Sequence, residues 1–150
     1  MESVDVVVYN SSPYKLPEYA KSGDSGMDVR ANIKEAIILK PGATVIVPVG
    51  LFVELRKGYE IQVRPRSGLA AKYSVTVLNT PGTIDEGYRN EIGVILINHH
   101  QTNDFIIEPG DRIAQIVLQQ VPKINWIPKE TMVDTNTERG LGRYGHTGRS

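Results

Sequence analysis

Thr44-Val45-Ile46-Val47-Pro48-Val49-Gly50-Leu51-Phe52-Val53-Glu54-Leu55, followed by Arg56-Lys57-Gly58 and then Tyr59-Glu60-Ile61-Gln62-Val63, decides the fold class of this chain. Its apolar residues are largely β-branched, and such side chains pack well on a pleated surface but lose χ1 freedom in a helix. The Arg-Lys-Gly between the two runs is a turn signal. The same pattern extends outward in both directions. Val4 to Tyr9, Ala36 to Leu39, Val75 to Leu78, Glu91 to Asn98, Phe105 to Glu108 and Arg112 to Val121 read as further strands. Lys40-Pro41-Gly42, Pro81-Gly82 and Glu108-Pro109-Gly110 punctuate them. Many short strands at such intervals predict an all-β sandwich or closed barrel and not a βαβ fold. Helix is confined to Ser67-Gly68-Leu69-Ala70-Ala71-Lys72, about one or two turns with Ser67 as the cap residue.

A chain of 150 residues is long enough for one domain and short for two. Lys plus Arg and Asp plus Glu each total 17, so the formal net charge is zero. That balance argues against a general grip on nucleic acid or an anionic membrane, while a local Arg cluster can still bind a small anion. The absence of cysteine removes disulfides, thiolate nucleophiles and Cys-based zinc sites. The first residues, Met1 to Asp5, lack the basic and apolar regions of a secretory signal. No apolar run approaches the ~20 residues of a membrane helix. The expectation is a soluble, cytoplasmic protein, or one in the host-cell interior if its source is viral.

Three segments concentrate polar and glycine residues. Ser22-Gly23-Asp24-Ser25-Gly26-Met27-Asp28 reads, taken alone, as a glycine-rich turn. Arg64-Pro65-Arg66-Ser67-Gly68-Leu69 brings Arg, Ser and Gly to a helix start, where free backbone N–H groups suit a phosphate and Arg66 adds fork-shaped donors. A capped helix with a solvated Arg explains the same residues equally well. Asn79-Thr80-Pro81-Gly82-Thr83-Ile84-Asp85-Glu86-Gly87-Tyr88-Arg89 lies between two apolar runs and reads as a hairpin with Asp85-Glu86-Gly87 at the turn. Asp85 there is either a turn former bonding its own backbone or a functional carboxylate. The tail from Glu138 to Ser150 holds four glycines and three arginines, and its composition alone describes a disordered end. His99, His100 and His146 lack metal-ligand spacing, and neither a Gly-x-x-x-x-Gly-Lys-Ser/Thr loop nor a Gly-x-Ser-x-Gly elbow is present.

In their order along the chain, these segments resemble the trimeric dUTPase family over nearly the whole length. The matched motifs are Ser25 to Ala31, Pro65 to Ala70, Asn79 to Arg89, Gly110 to Gln115 and Arg139 to Gly148. The resemblance implies a jelly-roll-like β-barrel or sandwich over residues 1–137 and a flexible glycine-rich lid over residues 138–150. It also implies a homotrimer whose active sites each draw on all three chains, since a cyclic assembly repeats one heterologous interface. The implied activity is that of a hydrolase, a dUTP diphosphatase. It would convert dUTP to dUMP and pyrophosphate, limit uracil incorporation into DNA and supply dUMP for dTMP synthesis.

By the same resemblance, Asp85 is the general base for water attacking the α-phosphate. Carboxylates are ionised at neutral pH, so such a base needs position above all. Tyr88 stacks under the deoxyribose and excludes a 2′-hydroxyl. Uracil is read around Asn79, Gly82, Thr83, Ile84 and Gly93. Arg66, Ser67, Gly68 and Gln115 hold the phosphates. Mg²⁺ is the implied cofactor, bound to phosphate oxygens and waters, with Asp28 acting through water. In the tail, Arg139 meets the terminal phosphate, and Tyr144, beside Gly145, stacks on uracil. Four positions depart from the family pattern: Asn90 and Arg143 where Gly is usual, Leu141 where a small polar residue is usual, and His146 where Ser is usual. Asn90 tolerates positive φ better than most residues, so the hairpin is expected to persist. Two rival readings share the fold: a dCTP deaminase, whose extra acidic motif is not matched here, and a nucleotide-sensing regulator of a partner protein.

Overall fold

The computed structural model describes residues 2–150. Its elements run β1 (Val7–Asn10), β2 (Met27–Arg30), β3 (Ile37–Leu39), β4 (Thr44–Pro48), β5 (Leu51–Glu54), β6 (Tyr59–Arg64), α1 (Ser67–Tyr73), β7 (Val75–Val77), β8 (Gly82–Ile84), β9 (Gly93–Asn98), β10 (Phe105–Ile107) and β11 (Arg112–Gln120). Every strand pairing is antiparallel. The strands form a four-stranded sheet in the order β2-β11-β6-β8, a three-stranded sheet β4-β9-β7, and the two-stranded pairs β1-β5 and β10-β3. The chain is therefore mostly β, as expected, but the ladders do not join into a closed barrel among the described residues.

The long run from Thr44 to Leu55 explains part of that separation. It is two strands, not one. Gly50 takes φ +76° and sits against Ser12, so the chain bends there. β4 before the bend pairs with β9, while β5 after it pairs with β1. A side chain at Gly50 would be strained by its φ and would collide with Ser12.

Alternation sets the core. Along β9 the even positions Val94, Leu96 and Asn98 turn inward, and along β6 Ile61 and Val63 do the same. They pack with Val29, Leu39, Val47, Val75, Val77, Ile92, Ile107 and Ile113. Fully burying one such aliphatic side chain is worth about 1.5–3 kcal/mol. Among the described residues Asn98 is the one buried polar residue, and it is satisfied. Its Nδ2 donates to the carbonyls of Leu39 (2.9 Å) and Asn103 (2.8 Å), and its Oδ1 accepts from His100 N–H.

Two strands were hidden from sequence reading. β2 lies at the end of the segment read as a glycine-rich turn, and β8 lies within the segment read as a hairpin arm. The hairpin itself is β7 with β9, in the register Val77↔Leu96. Its long connection runs out to lay β8 against β6, while Asp85 to Tyr88 forms the turn, closed by Tyr88 N–H to Asp85 O at 3.0 Å. The helix also starts one residue earlier than expected. Arg66 is the N-cap, with no side-chain cap bond, and Ser67 is already helical. Regular structure ends at Gln120, and residues 122–150 carry neither strand nor helix. Among the described residues, no helix is long and apolar enough to cross a membrane.

Candidate active site

Strand β11 is the organiser of one polar cluster. Gln115 pairs with Asp28 of β2 on one side and with Arg64 of β6 on the other, so the three residues form a row across the sheet. Beyond Arg64 the chain turns through Pro65 into α1. Gln115 Nε2 donates to the Pro65 carbonyl at 3.0 Å and fastens that corner to the sheet. Gly26 lies directly against the Gln115 side chain, so a Cβ there would displace the amide. The first motif needs glycine at this place for closeness, not for backbone conformation.

Arg66 is held in position by two partners. Its Nε lies 3.2 Å from Asp28 Oδ1, and its Nη1 donates to the Arg112 carbonyl at 3.1 Å. The Arg112 guanidinium lies 3.7 Å from the other Asp28 oxygen. The carboxylate of Asp28 is thus bracketed by two guanidinium groups, and the local charge is net positive. These pairs are only partly buried, so their value is mainly geometric: they aim Arg66. In α1, the Ala70 N–H is the first to bond to a carbonyl of the cap residue, Arg66, at 3.1 Å. The amides of Ser67, Gly68 and Leu69 belong to the first turn, where N–H groups lack intrahelical partners. A groove of about 590 Å³ borders this corner, lined by Asp28, Arg30, Arg112 and Gln115 together with the segment Tyr14 to Ala20.

A second cluster forms at the connection between β7 and β9. Leu78 N–H bonds to Ile95 O at 2.8 Å, which carries the hairpin register one residue past Val77. A Cβ on Gly82 would meet Asn79 Nδ2 at 3.3 Å, and one on Gly93 would meet Ile46 at 3.0 Å, so both glycines serve close packing. β8 is the outermost strand of its sheet, with Thr83 exposed between buried Gly82 and Ile84. Its free edge leaves backbone donors and acceptors available to a ligand. Asp85 is exposed, and Tyr88 is fixed by its hydroxyl, which donates to the Glu91 carbonyl at 2.7 Å. Asn90 does not use positive φ. Its Oδ1 instead accepts the Glu91 N–H at 2.7 Å, which is how the turn tolerates a residue other than glycine there.

Asp85 and Arg66 stand at opposite ends of β6. Ile84 pairs with Ile61, which leaves Asp85 at the Tyr59 end, whereas Arg66 follows the Arg64 end. At about 3.3 Å per residue the separation is on the order of 20 Å. Asp28, Arg66, Ser67, Gly68 and Gln115 are therefore brought together in one place and Asp85 and Tyr88 in another, while β8 runs between them, with Gly82 and Asn79 beside Val63 near the Arg64 end, Thr83 beside Gln62 and Ile84 beside Ile61, and Gly93 pairs with Pro48 in the other sheet. Arg139, Tyr144 and Gly145 lie in the exposed tail. Tyr144 is fully exposed, and Arg139 Nε bonds within the tail to Gly142 O. Sequence reading passed over Arg112, although it stood inside the fourth motif, because only its neighbour Gln115 was given a role.

The fold and these clusters together define a mostly β protein with an arginine-bearing corner and a separate carboxylate-bearing turn. Comparison with known proteins narrows that class. Residues 12–148 match the dUTPase family. A deoxyuridine 5'-triphosphate nucleotidohydrolase of Fusobacterium nucleatum is 48% identical over 149 residues, covering 99% of this chain and 100% of that protein. One from Chlamydia trachomatis is 54% identical over 133 residues, covering 89% of this chain and 90% of its own length. The fold is similar to that of a Staphylococcus bacteriophage 80alpha dUTPase solved with dUpNHpp, with a TM-score of 0.82 and 23% identity over 97% of this chain and 99% of that one. It is also similar to a dUTPase from phage phi11 of S. aureus that coordinates a structural Mg(II) ion, with a TM-score of 0.75 and 21% identity over 85% of this chain and 97% of that one. The chain belongs to the dUTPase family.

Proposed function

We propose that Asp85 acts as general base, and the Arg66 corner as phosphate holder, in the hydrolysis of dUTP to dUMP and pyrophosphate that this chain catalyses as a dUTPase. The observation that carries this division of labour is the placement of Asp85 and Arg66 at opposite ends of β6. A triphosphate cannot span that gap within one chain. Neighbouring chains must then bring the Asp85 turn of one to the Arg66 corner of the next, and a closed ring of three repeats that contact. Exposed apolar side chains support such an assembly. Ile124, Trp126, Ile127, Met132 and Val133 form an uncovered apolar stretch after the last strand, with Trp126 80% exposed.

In the assembled site the edge of β8 and the Asn79 amide read uracil through main-chain donors and acceptors. Gly82 and Gly93 leave the narrow space in which a thymine methyl does not fit. Tyr88, its ring pinned by the Glu91 carbonyl, lies against the deoxyribose. Arg66, Gln115 and the free amides of Ser67 and Gly68 orient the phosphates. Asp85 takes a proton from a water aimed in line at the α-phosphorus, the bond to the bridging oxygen breaks, and pyrophosphate leaves. The tail from residue 138 onward folds over the nucleotide, with Arg139 at the terminal phosphate and Tyr144 on the base.

No three His, Asp or Glu side chains converge among the described residues. Such a corner fits a magnesium ion whose ligands are phosphate oxygens and water, because this ion dehydrates reluctantly. Asp28, which holds Arg66, is the carboxylate that would hold the ion through water. When bound, the ion fixes the phosphate conformation and offsets charge on the leaving group.

Pyrophosphate release measured with dUTP, UTP, dCTP and dTTP, with and without Mg²⁺, tests this reading. Rapid release from dUTP alone is the expected result. Ammonia released from dCTP would replace it with the deaminase reading. Tyr88→Ala is expected to erode discrimination against UTP by roughly tenfold, the order of one lost apolar contact in a specificity pocket. Unchanged relative kcat/KM values for dUTP and UTP in that variant contradict the role given to Tyr88.

A further inference from the structure

The Asp85 turn is weakly attached to the rest of the chain. The ladder with β6 stops at Ile84, and backbone bonding to the body resumes at Ile92 N–H to Leu51 O, 2.9 Å. Between them the bonds Tyr88 N–H to Asp85 O, Arg89 Nη1 to the carbonyls of Glu86 and Tyr88, and Tyr88 hydroxyl to Glu91 O are all internal to the turn. Among the described residues, two side chains of this segment reach outside it: Glu91 Oε2, at the far end, accepts the Gly50 N–H at 2.8 Å, and the other anchor lies next to Asp85. Glu86 Oε2 accepts the Gly58 N–H at 2.7 Å. Gly58 sits in the turn between β5 and β6 at φ +87°, a conformation that side-chain-bearing residues rarely adopt.

We infer that Glu86 is a positioning residue for the hydrolysis: its bond to Gly58 N–H sets the height and angle of the Asp85 carboxylate next to it in sequence. This rests on Asp85 being the base. An ionised acceptor on a backbone N–H makes a strong bond, about twice a neutral one. A base displaced by a fraction of an ångström leaves binding unchanged, because the groups that hold uracil and phosphates lie elsewhere and Tyr88, which faces the deoxyribose, is held by its own hydroxyl bond to the Glu91 carbonyl. The defect should therefore fall on kcat and spare KM.

Steady-state pyrophosphate release tests this with Glu86→Ala, Glu86→Gln and both changes combined with Asp85→Asn. Glu86→Ala should lower kcat about tenfold with KM within about twofold of the parent, the pattern of an interaction that matters only in the transition state. Glu86→Gln keeps a carbonyl acceptor and should recover most of the rate. In the Asp85→Asn background, Glu86→Ala should cost nothing further, since a group acting through Asp85 has no effect once Asp85 is gone. A parental kcat in Glu86→Ala, or an equal loss in both backgrounds, overturns the inference. If Asp85→Asn alone keeps the parental rate, the fault lies with Asp85 as base and not with Glu86. Should Glu86→Ala melt below the assay temperature, Glu86→Asp takes its place: a reduced kcat supports the inference, and a parental one overturns it.

Discussion

Asp85→Asn is expected to keep nucleotide binding and to lower turnover by about 10²–10⁴-fold, the usual cost of losing a positioned base. The change is nearly isosteric and leaves the surroundings of the turn alone. Tyr88 N–H still finds the Asp85 backbone carbonyl, and Glu86 still reaches Gly58 N–H. Asparagine at this position can orient water but cannot take its proton. The base and phosphate groups contact other residues, so calorimetric affinity for a non-hydrolysable dUTP analogue should match the parent. A variant that turns over dUTP at the parental rate means that the water is activated by something else.

Removing residues from Arg139 onward should lower turnover by about 10²-fold, the scale on which imperfect positioning of a bound substrate acts. The tail contributes nothing to the ordered core. Its residues are exposed, and the last strand stops at Gln120. The apolar stretch from Ile124 to Val133 remains in the truncated chain, so its oligomeric mass by light scattering should be unchanged. Full activity after truncation contradicts a lid that closes on the nucleotide. A change of mass assigns the tail to assembly instead.

The strand content was readable because a β-branched run bounded by Gly and Pro has few other stable forms. It failed where a strand was too short to show its period. β2 turns only Val29 fully inward, and β8 is anchored by Ile84 and Gly82, so neither offers enough alternation to be seen without its partner strand. It failed again at Gly50, where nothing in the order of residues says that the next strand joins another sheet. The carboxylate and Arg motifs were visible as motifs, while the distance between them was not. That Asp85 and Arg66 fall at opposite ends of one strand depends on β8 pairing with β6, a long-range choice made by the buried faces of Ile61 and Ile84. The roles of Arg112 and Glu86 were likewise invisible, since each depends on a partner distant in sequence, Asp28 and Gly58 respectively.

Co-expression of Asp85→Asn and Arg66→Ala chains at equal levels examines the shared site directly. Each variant alone should be nearly inactive. In randomly mixed rings of three, a site pairing an intact Asp85 with an intact neighbouring Arg66 corner arises about one time in four. The co-expressed population should therefore regain about one quarter of the parental rate of pyrophosphate release. Mixed trimers no more active than the two variants kept apart would place both groups within one chain's own site and contradict the division of labour proposed for Asp85 and Arg66.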